Sequence, residues 1–403
     1  MRYIFFFMLA FFTSAHSIPN GFDALRVVVA IIGYLLSFYI LLERDPVRLV
    51  NPYLLAIFLL SVFSIMWSID KSLTIKYIVD VLPFFGTYIA VVAITRTEKE
   101  FMRWKYYYLT LLVLTFLYTF ALYLKYGTIR LPAETMAIVV DITYDLVVSL
   151  PIVIYLFVIT ENILYKWFYF LVVALGFLAL VIAQTRGGII AFVSGSVLAF
   201  YFLFINKTFR IKKRAKALFK ILCIFLLLIA ITGFSWQFVL SQQFKNKFLM
   251  RMMILSPNAE VRAEYLAHFN ERIEALKDWE KVLKKHWGIG IGFGTFPAVS
   301  TNKLICHNFL IDMWISAGLI GLFLAPLFIG YTFYKFYYQA KRHILIGNKN
   351  GGYLRLTLTI SFSMFIVHGM IQHLWFFNHL YIFAALSQFN VNVNKKSITK
   401  TTS

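Results

Sequence analysis

The sequence predicts an all-α integral membrane protein with about twelve transmembrane helices and one long periplasmic loop that contains an amphipathic helix. Hydrophobic residues make up 61% of the 403 residues and charged residues only 14%, whereas a soluble domain carries about 25% charged residues. Apolar runs of the length that crosses a bilayer, roughly twenty residues, recur along the chain. Lys and Arg gather in every second loop between these runs, as the positive-inside rule requires.

Twelve predicted spans result when the sequence is divided wherever charge, Pro or Gly interrupts an apolar run. Nine lie within residues 1–235, the periplasmic loop covers 236–307, three more lie within 308–391, and 392–403 form a cytoplasmic tail. The first resembles the apolar part of a signal peptide, but no convincing small-residue cleavage site follows, so we expect a retained first helix. The predicted spans cover 3–17, 22–42, 52–67, 74–95, 106–125, 137–160, 165–184, 188–206, 216–235, 308–334, 353–371 and 374–391.

Positive charge marks one side of this predicted bundle. The largest group of Lys and Arg lies between residues 207 and 216, whereas the intervening short loops hold only Lys71, Lys125, Arg130 and Arg186. Because cytoplasmic loops carry the basic excess, both termini are predicted to be cytoplasmic and loop 236–307 to face the periplasm of a bacterial cell. The same topology accounts for 39 Lys and Arg against 18 Asp and Glu without nucleic acid as a partner.

The middle of the periplasmic loop is predicted to be an amphipathic helix at the membrane face. Residues 260–287 lack Pro and Gly, and apolar residues recur there at spacings of three and four, which is the helical period. The apolar positions are Leu266, Phe269, Ile273, Leu276, Trp279 and Leu283.

No disulfide framework and no metal site are predicted. Cys223 and Cys306 have no partners at a suitable spacing. The histidines lack a helical i, i+4 pair with acidic partners: His307, His368, His373 and His379. Three acidic residues in or beside spans are expected to form ion pairs within the bundle: Asp80, Asp141 and Asp145.

The first candidate motif is the segment 184–188, in which Arg186 lies at the outer junction between two spans and is followed by Gly187 and Gly188. Glycines allow a ligand to approach the backbone, and the free amides at the start of a helix attract anions. The alternative for Arg186 is a side chain that only extends to the membrane interface.

The second motif lies on the loop helix, where Arg262 and Arg272 precede a glycine-rich stretch at positions 288, 290, 292 and 294. Alternating glycines suit a tight turn, but their spacing is not that of a dinucleotide-binding fingerprint. The alternative for both arginines is a solvated helix face.

The third motif is His307-Asn308, followed after nine residues by Gly318 and then Gly321, where the loop returns to the membrane. Histidine accepts a proton near neutral pH, as the activation of a hydroxyl nucleophile requires. The alternative is an interfacial polar residue that is hydrogen-bonded to the backbone.

These three motifs, in this order and on this topology, resemble the O-antigen ligase and polymerase superfamily of bacterial envelope glycan enzymes. Thr185-Arg186-Gly187 resembles the arginine element of that family, and Arg272 resembles the arginine that opens the segment running to the glycine-rich turn. His307-Asn308 with Gly318 and Gly321 resembles the ligase pattern. The motifs cover residues 181–324. Two positions depart from the family pattern: Trp287 stands where proline is frequent, and Ser316 where some polymerases carry an acidic residue.

The resemblance implies a GT-C-like glycosyltransferase of the bacterial inner membrane that faces the periplasm. Such enzymes transfer a preassembled glycan from undecaprenyl diphosphate to lipid A-core in ligases, or to another lipid-linked repeat in polymerases. It implies His307 as the base, with no metal and no soluble cofactor. Arg186 and Arg272, with Arg262 as a weaker third, would bind the diphosphate, and Asn308, Gly187, Gly318 and Gly321 would support the site.

Two alternatives to a ligase remain open at this point. A polymerase would use the same donor chemistry, although the complete His-Asn-nine-Gly pattern favours a ligase. A transporter of a lipid-linked anion is disfavoured, because transporter sites usually lie near the midplane between repeated halves, whereas these motifs cluster at one interface.

Overall fold

The computed structural model describes residues 50–126, 136–183, 186–202, 270–301, 308–370 and 378–389. The predicted spans 3–17, 22–42 and 216–235, the first part of the periplasmic loop, the C-terminal tail, and the site residues Arg262 and His307 lie outside these described residues. Arg186 and Arg272 are described by their backbone only.

All regular structure within the described residues is helical. Residues 64–66 form a short 3-10 turn after α1. The helices are α1 (Pro52–Phe63), α2 (Lys71–Ile94), α3 (Glu98–Tyr126), α4 (Met136–Ile159), α5 (Ile163–Ile182), α6 (Arg186–Phe200), α7 (Asn270–His286), α8 (Phe296–Val299), α9 (Phe309–Leu345), α10 (Lys349–Gly369) and α11 (Asn378–Gln388).

The helices coincide with the predicted spans to within a few residues, except where polar residues extend them. In the described part of the chain, five helices are long and apolar enough to cross a membrane: α2, α3, α4, α5 and α9. Helix α3 begins eight residues before the predicted span because Thr97 and Glu100 form a capping box. The Glu100 carboxylate accepts the amide of Thr97 at 2.9 Å, and the Thr97 hydroxyl accepts the amide of Glu100 at 3.3 Å. Helix α9 likewise continues to Leu345, beyond the predicted span 308–334.

A buried ion pair joins α3 to α10 at the end of the bundle that is predicted to be cytoplasmic. The Arg355 guanidinium, which is fully buried, donates from Nη1 and Nη2 to the two carboxylate oxygens of Glu98 at 2.7 and 2.8 Å. It also lies 4.0 Å above the ring of Phe101. Glu98 and Arg355 therefore connect the amino-terminal turns of α3 and α10, which the charge pattern assigns to the same side.

A second buried pair lies within the bundle. His379 Nε2 is 2.7 Å from Asp145 Oδ1, and the Thr115 hydroxyl donates to Asp145 Oδ2 at 3.2 Å. Asp145 therefore has a polar partner within the bundle, and the contact is the predicted ion pair only when His379 is protonated. Asp80 differs, because its side chain is exposed on α2.

Helix α9 departs from the uninterrupted span that was predicted. Ala317 and Gly318 have non-helical backbone angles, and Gly318 has φ +62°. The sequence gives no proline at this point, and the cause of the break is a long-range contact with the glycine-rich turn.

Helix α7 confirms a helix in the loop, but its buried face differs in part from the predicted apolar face. Trp279 and Val282 are buried, whereas Leu276 is 52% exposed. Trp279 and Val282 pack with Ile291, Phe296 and Ile315 in a small core between the loop and α9.

Candidate functional site

The glycine-rich turn lies against the break in α9, in an arrangement that we call the glycine clasp (residues 287–294 against 315–319). The amide of Ile291 donates to the oxygen of Ile315 at 2.8 Å, and the amide of Gly292 donates to the oxygen of Ser316 at 3.0 Å. In return, the amide of Leu319 donates to the oxygen of Gly288 at 3.1 Å. At the break in α9, backbone groups lose their hydrogen-bond partners within the helix. The turn supplies new partners for the oxygens of Ile315 and Ser316 and for the amide of Leu319, so that few buried backbone groups remain unpaired.

The clasp requires glycine on both sides because main chain packs directly on main chain. A Cβ at Gly318 would overlap the carbonyl group of Gly288, and a Cβ at Gly290 would lie 2.6 Å from the nitrogen of Gly318. Both residues also have positive φ, +62° and +82°, which side chains disfavour. A Cβ at Gly321 would overlap the oxygen of Met313, so the second glycine of the motif keeps the turns of α9 close together.

The opposite side of the turn is bonded to α2 and to the residues that precede it. The hydroxyl of Thr74 donates to the oxygen of Phe293 at 3.0 Å, and the amide of Ile69 donates to the oxygen of Ile291 at 3.1 Å. The last part of the predicted periplasmic loop is therefore fixed between α2 and α9.

Asp278 on α7 fixes the segment that leads back to the third motif. Its Oδ2 accepts the amide of Thr301 at 2.8 Å, and its Oδ1 accepts the hydroxyl of Thr301 at 3.1 Å. These bonds, together with Lys281 at 3.3 Å, hold the pKa of Asp278 below its usual range. Thr301 stands six positions before His307, so this contact anchors the chain close to the proposed base.

Asn308 directly precedes α9 and connects it to the C-terminal end of α10. Its Oδ1 accepts the amides of Leu310 and Ile311 at 3.0 and 3.1 Å, which makes it the N-cap of the helix. Its Nδ2 donates to the oxygen of Met370 at 3.0 Å. The oxygen and the nitrogen of the Asn308 side-chain amide are both hydrogen-bonded. These bonds fix the position of Asn308, the residue that follows His307.

The arginine motif reaches the same end of α10. Helix α6 begins at Arg186, and Gly187 and Gly188 are buried in its first turn. The imidazole of His368 lies beside the main chain of Gly187. Further along, Gly195 packs on the side chain of Met364 so closely that a Cβ would overlap it. The close packing of α6 on α10 thus places Gly187 and Asn308 at one end of the same helix.

The second motif approaches through α7, which carries Arg272 in its first turn and ends just before the glycine clasp. The structure therefore links Gly187, Asn308, Gly318 and Gly321 to a common framework. It does not describe the side chains of Arg186 and Arg272, nor any atom of Arg262 and His307. The meeting of those four side chains stays a prediction.

An apolar groove of about 470 Å³ lies between α7 and α9. Within its lining, Trp314 donates from Nε1 to the oxygen of Trp287 at 3.1 Å. Glu280 and Lys284 also line the groove. Its apolar lining is Leu276, Trp279, Leu283, Trp287, Ile311 and Trp314. The groove begins one turn beyond Asn308, and its apolar lining suits a hydrocarbon chain.

Sequence reasoning missed three contributors to this framework: Asp278, His368 and Met370. His368 was considered only as a metal ligand, and its distance of 181 positions from Gly187 leaves no sequence signal of their contact. Among the described residues, no group of three or more His, Cys, Asp or Glu side chains could hold a metal ion.

Comparison with known families was consistent with these motifs. A family model described as O-antigen ligase matches residues 171–325, from α5 into α9. This segment contains the arginine motif, Arg272, the glycine clasp, Asn308, Gly318 and Gly321. A search of curated proteins found no match.

Proposed function

From the match of residues 171–325 to a family model described as O-antigen ligase, we propose that this chain is an O-antigen ligase. It transfers preassembled O-polysaccharide from undecaprenyl diphosphate to lipid A-core. The protein is a multi-pass membrane protein by its apolar helices, and we place the reaction at the periplasmic face of the bacterial inner membrane.

The proposed reaction is a single inverting displacement that needs no metal ion. A hydroxyl of the acceptor attacks the anomeric carbon of the donor from the face opposite the diphosphate, and His307 takes the hydroxyl proton. The bond from the anomeric carbon to the diphosphate oxygen breaks, and its electron pair leaves with the diphosphate. Arg186 and Arg272, with Arg262, stabilise that developing charge by charge-assisted hydrogen bonds.

The observation that supports this proposal most strongly is that the arginine motif and the His307-Asn308 motif both reach the C-terminal end of α10. Asn308, which follows His307, bonds to Met370, and Gly187, which follows Arg186, lies beside His368. A base and an anion-binding arginine are needed on opposite sides of one anomeric carbon, and their neighbours lie at the same helix end.

The apolar groove between α7 and α9 supports a lipid-linked donor. Ile311 and Trp314 of its lining lie on the first two turns of α9, so a chain bound there would lead toward Asn308. A polyprenyl chain is such a hydrocarbon.

The test is glycan transfer by the purified full-length protein in EDTA, with undecaprenyl-diphosphate-linked O-antigen as donor and lipid A-core as acceptor. We expect polymer to be joined to core, and we expect R186A, R272A and H307A to lose transfer while staying folded. Elongation of the lipid-linked donor without modification of core would instead identify a polymerase. Absence of both products, with movement of donor between leaflets, would identify a transporter. Full activity of H307A would remove His307 as the base.

A further inference from the structure

Asp312 is a half-buried acidic residue in the first turn of α9, one turn beyond Asn308. Its main-chain amide donates to the oxygen of Asn308 at 2.8 Å, as the helix requires. Its carboxylate, in contrast, accepts no hydrogen bond from the residues that the structure describes. An ionisable group at the end of a membrane span is costly, and one that lacks a protein partner calls for an explanation in terms of function.

Two other carboxylates on the helices of this bundle show how the fold satisfies such a group. Glu98 accepts two hydrogen bonds from Arg355, at 2.7 and 2.8 Å. Asp145 lies 2.7 Å from Nε2 of His379. Asp312 differs from both, because within the described ranges no cation or hydrogen-bond donor is bonded to it. A carboxylate kept only for stability would be expected to have such a partner.

The surroundings of Asp312 come from α2 and from the glycine clasp. Its carboxylate is close enough to the hydroxyl of Tyr77 to interact with it electrostatically. The ring of Tyr77 packs on Phe293, with ring centroids 5.6 Å apart, and a Cβ at Gly294 would lie 2.7 Å from Cβ of Tyr77. The clasp therefore fixes the position of Tyr77 relative to α9, which carries Asp312.

A carboxylate close to a tyrosine hydroxyl suits the hydroxyl groups of a sugar. A carboxylate oxygen accepts strong, charge-assisted hydrogen bonds from O–H donors, and a tyrosine hydroxyl both donates and accepts. The negative charge of Asp312 repels another anion, so the pair disfavours the diphosphate end of a lipid-linked donor. An uncharged sugar that presents hydroxyl groups meets no such repulsion.

We propose that Asp312 and Tyr77 bind hydroxyl groups of the sugar in lipid A-core that accepts the glycan. This inference rests on the proposed function, in that core is the acceptor. Asp312 lies one turn beyond Asn308, the residue that follows the proposed base, so a sugar bound there would lie near the third motif. The sugars of the donor have the same hydroxyl chemistry, and separate measurements on the two substrates distinguish them.

The test uses the purified full-length protein, with core oligosaccharide freed of its lipid as the probe. Binding is measured by saturation-transfer NMR, and the kinetics of glycan transfer give a KM for each substrate. We expect D312A to weaken oligosaccharide binding by about tenfold, the loss of one hydrogen bond to a charged group. The acceptor KM should rise similarly, with little change in the donor KM. Y77F, which keeps the ring, should weaken binding less.

The matched control is D80A, because Asp80 is an exposed carboxylate on α2, three positions after Tyr77. It should bind the oligosaccharide and transfer glycan as the wild type does. Thermal unfolding separates binding from support of the fold. D312N should unfold at or above the wild-type temperature, because it removes a half-buried charge that has no bonded partner among the described residues.

Several outcomes would overturn the proposal. Unchanged oligosaccharide binding in D312A would do so, as would a wild-type protein that does not bind the oligosaccharide. A raised donor KM with an unchanged acceptor KM would remove the acceptor sugar as the ligand. If D312A does not fold, D312L, which is closer in size and also lacks an acceptor atom, takes its place with the same criteria.

The two proposals fail separately. A wild-type protein that transfers no glycan but binds core oligosaccharide through Asp312 would remove the ligase proposal and keep the sugar site. Active transfer with unchanged oligosaccharide binding and an unchanged acceptor KM in D312A would remove only the site.

Discussion

Gly318 and Gly288 touch main chain to main chain, since the amide that follows Gly318 donates to the oxygen of Gly288 at 3.1 Å and no Cβ fits between them. This contact joins two of the three motifs, and it explains why the turn and the break in α9 occur together. Neither could adopt its backbone geometry without the other.

Gly318→Ala should therefore destabilise the protein. The alanine would combine a positive φ with an overlap on Gly288, and each such strain costs about 1–3 kcal/mol. Thermal unfolding in detergent should show a clearly lower Tm and reduced transfer activity.

The control for this prediction is Gly330→Ala on the same helix. A Cβ there meets nothing within 4 Å, so its Tm should equal or exceed that of the wild type. Equal loss of stability in both variants would mean that the clasp has no special role.

Substitutions of Asn308 should separate its two contacts. Asn308→Asp keeps an acceptor for the amides of Leu310 and Ile311 but loses the donor to Met370, whereas Asn308→Ala loses both. We expect Asp to unfold near the wild-type temperature with lower kcat, and Ala to lose about 0.5–2 kcal/mol of stability as well. Full activity of the Asp variant would show that the bond to Met370 is dispensable.

The stability contributed by Asp278 should depend on pH. Because its pKa is lowered in the folded protein, its contribution is fully present above the pKa of the unfolded chain, about 3.9, and is lost as the pH falls through the folded value. Tm should accordingly differ between wild type and Asp278→Asn at neutral pH, and the difference should shrink below about pH 4. Glu280→Gln is the matched control, because the exposed pair of Glu280 with Lys284 contributes little.

Labelling of single cysteines should test the predicted sidedness. In a chain with Cys223 and Cys306 replaced by serine, K284C on α7 should react with an impermeant maleimide in intact spheroplasts. K341C, at the end of α9, should react only after permeabilisation. Both side chains are exposed, so accessibility reports the side of the membrane. Labelling of both variants in intact spheroplasts would contradict the topology.

The local features of the fold could be predicted from the sequence, because hydrophobic length and capping residues act over a few positions. The spans that correspond to α2, α4 and α5 were predicted to within three residues at each end, and the glycine-rich turn was recognised as a turn. The break at Gly318 could not be predicted, since its cause is a bond partner thirty positions away.

In the candidate site, too, local features could be predicted from the sequence and long-range contacts could not. Asn308 and Gly187 could be selected from their motifs, but nothing local connects either with α10. His368 and Met370 meet them only through the packing of helices that are distant in the chain. The apolar face of α7 shows the same limit, because Leu276 is an apolar position of the predicted face and is 52% exposed. The pattern identified an apolar face of α7, while the position of α9 decided that Val282 would be covered.

The glycine clasp holds its position through peptide groups, with side chains taking no part in its three cross-connections. The exposed side chains of the turn, such as Ile289, which is 65% exposed, can consequently be replaced without altering the register of the three backbone hydrogen bonds, whereas Ile291 and Phe293 are buried. Turns with different exposed residues could therefore be exchanged between relatives. Each exchanged turn would keep the same backbone hydrogen bonds to α9 and the same position relative to the bundle.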